Sequence, residues 1–346
     1  MRVLLVKTSS LGDVLHALPA LTDAARALPH ARFDWVIEES YAEIPSWHPA
    51  IDTVIPVALR RWRHGIMQPA HRSEFLHALR ILRARSYDRI VDAQGLIKSA
   101  VLTACARGEH HGFGFASARE PLAALFYRHR HAVAPGSHAV LRLRRLFALA
   151  LGYELPSAEV DYGISRALIS FRPDDAAYLV FLHGTAWPTK QWPERYWKEL
   201  AGLANEAGLR VLLPAGNRVE NDRAHRIAAS ATNARVLPPM TLTQLAGVLA
   251  GAQGAVGVDT GLAHCAAALS VPAVTIYGAT NPGLTGTLGE AQRHARADFA
   301  CSPCLRRICR YRGNALVEPA CYQTVAPSRV WDMMTGLLGA ASRPGS

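Results

Sequence analysis

Residues 3–21 read VLLVKTSSLGDVLHALPAL, and the fold is decided where this stretch changes its period. Val3, Leu4, Leu5 and Val6 are four β-favouring apolar residues, ended by Lys7, Thr8-Ser9-Ser10 and Gly12. That pattern predicts a short buried strand that stops abruptly. Val14, Leu18, Leu21 and Ala25 then fall at spacings of four, three and four, predicting one apolar stripe on a helix over 14–28. A strand, a short loop and a helix form the first unit of an open α/β sheet, whose ligands bind at the carboxyl ends of its strands. Asp13, at the helix start, faces that end, where a carboxylate can take a proton from a substrate hydroxyl; helix capping accounts for it equally well. The loop holds one glycine and lacks a Gly-Lys-Ser/Thr ending, which excludes a Walker phosphate loop.

The same alternation continues outward. Strands are predicted near residues 2–7, 33–38, 53–57, 89–93 and 111–114, with helices over 72–85, 97–105, 119–127 and 138–151 between and after them. Between residues 152 and 172 the pattern weakens, and Pro156, Gly163 and Pro173 mark a linker. It resumes with strands at 178–182, 210–213, 235–237, 254–258 and 273–277 and helices at 194–207, 220–230, 242–250 and 262–269. Two runs of βα units predict two Rossmann-like parallel-sheet domains, 1–165 and 166–327, facing a central cleft. A closing helix from Ser328 and a loose tail complete the chain at residue 346.

The 346 residues carry 38 Lys and Arg against 27 Asp and Glu, a formal charge of +11. Residues 57–150 alone hold 16 basic and 5 acidic residues, so the remaining chain is balanced. Such a confined positive field suits an anionic surface or macromolecule, although Arg80, Arg83 and Arg85 read equally as a solvated helix face. No RNP, zinc-finger or helix-turn-helix signature accompanies it, so nucleic acid is not the expected partner. No apolar run approaches a membrane span and the start is too short for a secretory signal, so a cytoplasmic location is expected.

In the second half, Gly257-Val258-Asp259-Thr260-Gly261-Leu262-Ala263-His264 repeats the strand-to-helix form of the N-terminus. Gly261 lets a ligand approach the backbone, the helix start favours an anion, and His264 lies one turn on. Asp259 suits sugar hydroxyls better than phosphate. In His183-Gly184-Thr185-Ala186-Trp187-Pro188-Thr189-Lys190, Thr185 and Lys190 can reach a pyrophosphate. Glu220, after Gly216-Asn217, can take the two ribose hydroxyls of a nucleotide or merely occupy a helix first turn.

KTSSLGDVLHALPALTDA, FLHGTAWPTKQWP and VGVDTGLAHCAAAL, taken together and in this order, resemble the ADP-heptose:lipopolysaccharide heptosyltransferases over residues 1–328. The resemblance implies a GT-B fold and an inverting transfer of L-glycero-D-manno-heptose from ADP-heptose to a Kdo residue of Kdo2-lipid A. It implies Asp13 as base with Lys7 and Ser10 beside it. Thr185, Lys190, Gly261 and His264 become diphosphate contacts, flanked by Ala186 and Thr260. Glu220 becomes the ribose ligand, the Met240 backbone an adenine contact and Asp259 a partner of heptose hydroxyls. Arg60, Arg61, Arg63 and Arg119 would meet acceptor phosphates and carboxylates. Ala186 departs from the pattern, standing where a relative carries a second threonine hydroxyl. A transferase adding the second heptose, a non-catalytic glycan-binding module and a nucleic-acid-binding protein are the rival readings.

The residue chemistry agrees with the resemblance. Inverting transfer needs one base, stabilisation of an oxocarbenium-like centre and neutralisation of the leaving diphosphate. The sequence holds no Asp-x-Asp, so no metal and no cofactor are implied. Asp13 is expected to have a depressed pKa until substrate dries it. A membrane-borne acceptor implies peripheral contact with the anionic inner leaflet, through the basic residues of 57–150 with Leu122, Leu125, Phe126 and Tyr127; helix core is the alternative for these four. Cys301, Cys304, Cys309 and Cys321 are read as reduced thiols in a loop, zinc being the minority alternative.

Overall fold

A computed structural model describes residues 1–63, 65, 68–169 and 177–341. They form two compact units, Met1–Leu168 and Ile169–Ser346. Part of the expected linker, 170–176, and the tail 342–346 lie outside the described residues.

The first unit holds β1 (Arg2–Val6), β2 (Arg32–Glu38), β3 (Ile51–Val57), β4 (Ser86–Asp92), β5 (Arg107–Phe113) and β6 (His129–His131) in one parallel sheet, ordered β3-β2-β1-β4-β5-β6. Val3 to Val6 are wholly buried, as a central parallel strand covered on both faces requires. Leu4 and Val6 join Val36, Ile55, Ile90, Leu82 and Trp62 in one core layer. A buried ion pair ties the helix Leu18–Ala27 to the helix Ala139–Leu151, with Arg144 Nε donating to Asp23 Oδ2 at 2.6 Å.

The second unit holds β7 (Tyr178–Leu182), β8 (Arg210–Leu213), β9 (Ala234–Val236), β10 (Gly254–Val258), β11 (Ala273–Tyr277) and β12 (Gln292–Arg296), again all parallel, ordered β12-β11-β10-β7-β8-β9. This is the first sheet's order with β7 in the place of β1 and β10 in that of β4. The helix Pro327–Ala341 packs Val330, Met334 and Leu337 into this unit's core. In each sheet the strand order reverses once, between β1 and β4 and between β7 and β10. The loops leaving those strands are where open α/β folds take ligands.

Several elements differ from the reading of the sequence. The N-terminal helix is two helices, Leu11–Leu15 and Leu18–Ala27; Pro19 has no N–H to continue the first and suits the opening turn of the second. Residues 119–127 form a 3₁₀ helix over Pro121–Phe126, and β6 follows it. β6 and β12 were not predicted: HRH and QRHAR are short polar edge strands without an apolar alternation to betray them.

Candidate active site

At the first switch point, Gln94 clamps the two loops together. Its Oε1 accepts the Thr8 N–H at 2.7 Å and the Thr8 hydroxyl at 2.8 Å, and its Nε2 donates to Ser9 Oγ at 3.2 Å. The Gln94 N–H in turn donates to buried Asp92 Oδ1 at 2.8 Å, whose Oδ2 accepts from Tyr127 at 2.7 Å. The loop bearing Lys7 to Ser10 is therefore fixed from beneath.

Ser10, not Asp13, is the N-cap of the first helix, which corrects the capping reading of Asp13. Asp13 is the third helical residue, and its Oδ2 accepts from the Ser10 N–H at 2.9 Å and the Ser10 hydroxyl at 2.8 Å. The other carboxylate oxygen takes no part in this reciprocal capping. Burial pushes the Asp13 pKa up, but the charge of Lys7 and the two bonds from Ser10 outweigh it and hold it at about 2. Lys7 is buried; desolvation lowers its pKa, with Asp13 and Asp92 opposing and the charges of Arg119 and Arg142 adding to the fall. Lysine and aspartate thus stabilise each other's charge in a half-dry mouth.

The arginines divide. Arg119 is exposed and near enough for its charge to act on Lys7. Arg60 lies over the Tyr41 ring at 5.3 Å while its N–H donates to Glu38, and Arg63 is exposed. Arg61 is occupied by Glu39 and Glu74, at 3.0 and 2.7 Å. Sequence reasoning missed Gln94, Arg142 and Lys98, the last of which donates to Ser9 Oγ at 3.4 Å and stands among the charges of Glu38, Arg60, Glu120 and Arg63. Their signal was available: Gln94 and Lys98 follow the predicted strand 89–93, just as Lys7 to Asp13 follow β1.

At the second switch point, Asp259 is the hub. Its Oδ2 is 2.8 Å from Lys190 Nζ and accepts the Thr280 hydroxyl at 2.6 Å, while His264 Nε2 lies 3.8 Å from Oδ1. The Thr185 hydroxyl donates to the Asp259 carbonyl at 3.4 Å. Burial raises the Asp259 pKa, yet His264, Lys190 and Thr280 together hold it well below the usual carboxylate range. Thr260 caps the helix Gly261–Ala268 by backbone conformation alone, its hydroxyl making no capping bond. Helix amides, a lysine and a histidine around one mouth make an anion site. Lys190 also lies over the Trp187 ring at 4.7 Å.

Glu220 sits in the first turn of the helix Arg218–Ala228, its Oε2 accepting the Gly216 N–H at 2.8 Å. Its carboxylate lies where a Cβ on Gly184 would fall, 2.7 Å from that position. The absence of a side chain at Gly184 therefore brings Glu220 beside the Thr185–Lys190 loop. Ala186 is exposed in that loop, and Met240 is half-buried just before Thr241, the N-cap of the helix Leu242–Gly251. The structure so gathers Thr185, Lys190, Asp259, Thr260, Gly261, His264 and Glu220 on one sheet end. Ser10 lies in the first unit, bonded to Asp13. Thr280 went unread although it follows the predicted strand 273–277.

Two Rossmann-type sheets, one ending in a carboxylate under a lysine and the other in an anion mouth, define a glycosyltransferase of GT-B type. Residues 76–314 match the family model for glycosyltransferase family 9 (heptosyltransferase). The chain is 51% identical over 348 residues to lipopolysaccharide heptosyltransferase 1 of Pseudomonas aeruginosa, covering 98% of each. It is 51% identical over 299 residues to the Escherichia coli K12 protein of the same name, covering 86% of this chain and 94% of that one. The solved structure of E. coli heptosyltransferase WaaC with ADP superposes with a TM-score of 0.83 at 50% identity, over 86% of this chain and 94% of that one. WaaC with ADP-2-deoxy-2-fluoro heptose gives 0.84 at 44% identity, over 97% and 99%. The chain belongs to glycosyltransferase family 9, the heptosyltransferases.

Proposed function

We propose that this enzyme transfers heptose from ADP-heptose to a Kdo residue of Kdo2-lipid A, in assembly of the lipopolysaccharide inner core, with inversion at the anomeric carbon. The observation that carries the reading is the Lys190–Asp259–His264–Thr280 constellation at the β7/β10 switch point, in a chain half-identical to proteins named lipopolysaccharide heptosyltransferase 1.

In this mechanism the second unit holds the donor. Thr185, Thr260, Lys190, the amides from Gly261 and His264 take the diphosphate, and their charge and dipoles stabilise ADP as it departs. Asp259 releases Lys190 to the diphosphate and turns to the heptose hydroxyls. Glu220 takes the ribose hydroxyls, and the Met240 backbone borders adenine. The first unit supplies Asp13, whose carboxylate removes the acceptor proton as the new glycosidic bond forms. Lys7, Lys98, Arg119, Arg60 and Arg63 bind the acceptor's carboxylates and phosphates.

The acceptor is a lipid, and one surface of the first unit is suited to meeting it. Leu122 and Leu125 of the 3₁₀ helix are 59% and 60% exposed, Phe126 37% and Phe115 45%, with Arg119, Arg128 and Arg130 beside them. The core alternative for Leu122, Leu125 and Phe126 fails on these exposures, while Tyr127 is buried. An apolar tip ringed by arginines suits the cytoplasmic face of an anionic membrane. Among the described residues no helix is long and apolar enough to cross it. Incubation with ADP-heptose and either Kdo2-lipid A or its mono-heptosylated product, following ADP release, tests the reading. Turnover on the second acceptor alone would replace it with transfer of the second heptose.

A further inference from the structure

On one face of the first sheet, three adjacent strands juxtapose Arg89 of β4, Glu109 and His111 of β5, and His129 and His131 of β6. The register pairs Arg89 with Glu109, His111 with His129 and Phe113 with His131, so these side chains share a face. Glu109 Oε2 lies 3.6 Å from His129 Nε2 and 3.9 Å from His111 Nε2, and the donor atoms of the three residues are within 4.8 Å of one another. Both Nε2 atoms are shut off from solvent and have no hydrogen-bond partner. Two buried imidazole nitrogens left unbonded beside one carboxylate are costly unless another ligand joins them.

We propose that Glu109, His111 and His129 form a binding site for a divalent transition ion of the zinc type. Two imidazoles and a carboxylate are a donor set such ions favour. Ligand atoms around tetrahedral zinc stand about 3.3 Å apart, so the carboxylate and the two rings must draw together from 3.6 Å, 3.9 Å and a spread of up to 4.8 Å when an ion binds. His129, at the open edge of the sheet, makes most of that adjustment by tilting its ring, which stacks on His111 at 4.5 Å. The outer partner is already in place: His111 Nδ1 lies 3.0 Å from His131 Nε2. With that nitrogen accepting, the His111 proton sits on Nδ1 and its Nε2 lone pair points at Glu109, the tautomer a metal requires. Arg89 Nη1 donates to Glu109 Oε2 at 2.6 Å and supplies the positive charge until an ion shares the carboxylate. The bound ion clips the three-residue edge strand β6 to β5, and so holds the end of the 3₁₀ helix that precedes it. Its role is structural and independent of the transfer reaction.

The full chain, dialysed against chelator, is titrated with Zn²⁺ by calorimetry and with Co²⁺ by absorption. The expected result is a tight equivalent of Zn²⁺, and Co²⁺ ligand-field bands without a thiolate charge-transfer band. His129→Asn lowers the affinity by at least roughly tenfold, whereas Arg89→Gln raises it by freeing the carboxylate. Should His129→Asn fail to fold, Glu109→Gln, whose side chain is half-exposed, takes its place. Absence of Co²⁺ bands, binding indifferent to these variants, or binding that disappears in Cys301→Ser/Cys304→Ser overturns the proposal.

Discussion

Asp13 is tied by one oxygen to Ser10, the N-cap of its helix, and it stands beside a buried lysine. That pairing keeps it ionised at every physiological pH; in the proposed mechanism it is a weak base until the acceptor displaces water and changes the balance of charge. Asp13→Asn retains the shape and loses the proton acceptor. Its kcat is expected to fall by about 10²- to 10⁴-fold, with the donor KM and the melting midpoint little changed, read by ADP release and thermal unfolding. Lys7→Met removes the largest force lowering the Asp13 pKa and leaves burial, which raises it. The acid limb of kcat/KM should then move to higher pH; a limb that stays put denies Lys7 this role.

At the scale of elements, the donor site depends on close approach between a loop and a helix. A methyl at Gly184 would meet the Glu220 carboxylate at 2.7 Å, and Glu220 is also held by Gly216. Gly184→Ala is therefore expected to push Glu220 from its place and raise the KM for ADP-heptose several-fold, with kcat much less affected. Fluorescence titration with ADP checks it, and Glu220→Gln should show the same weakness. The helices themselves were legible from apolar spacing and the central strands from unbroken apolar runs. The edge strands β6 and β12 and the break before Leu18 were not, because polar strands show no alternation and a proline in a first turn interrupts a stripe without erasing it.

For the whole molecule, charge and burial set the response to salt and acid. The exposed Leu122, Leu125 and Phe126 beside Arg119 and Arg128 predict binding to vesicles of anionic phospholipid. It should weaken as salt rises, and Leu122→Ser/Leu125→Ser should abolish it while leaving turnover on a deacylated acceptor intact. Burial pushes His48 and His183 down to about 4. Below pH 6.5 the unfolded chain binds more protons than the folded one, so stability is complete above that pH and falls as pH drops toward 4. Asp13 adds its loss only below its ordinary value of 3.8, as pH falls toward about 2. Each of these two His rings contributes on the order of 3 kcal/mol. Melting midpoints followed from pH 8 to 4 should decline through this window; a flat profile contradicts the burial of these rings.

The sequence by itself determined the two parallel sheets and the strand ends that carry the proposed ligand sites. Periodicity is local, and the residues proposed to act at each switch point lie within a few positions of a strand end. Asp13, Lys190, Asp259 and His264 were readable for that reason. Tertiary structure alone decided which of them touch: that Ser10 binds Asp13, that Lys190 rests on Asp259 with Thr280, that Gln94 locks the first loop, and that Arg61 is already engaged by Glu39 and Glu74. It alone set His111 between His129 and His131. Those contacts join residues far apart in the chain, and their geometry follows from strand register and side-chain packing, which no local spacing encodes.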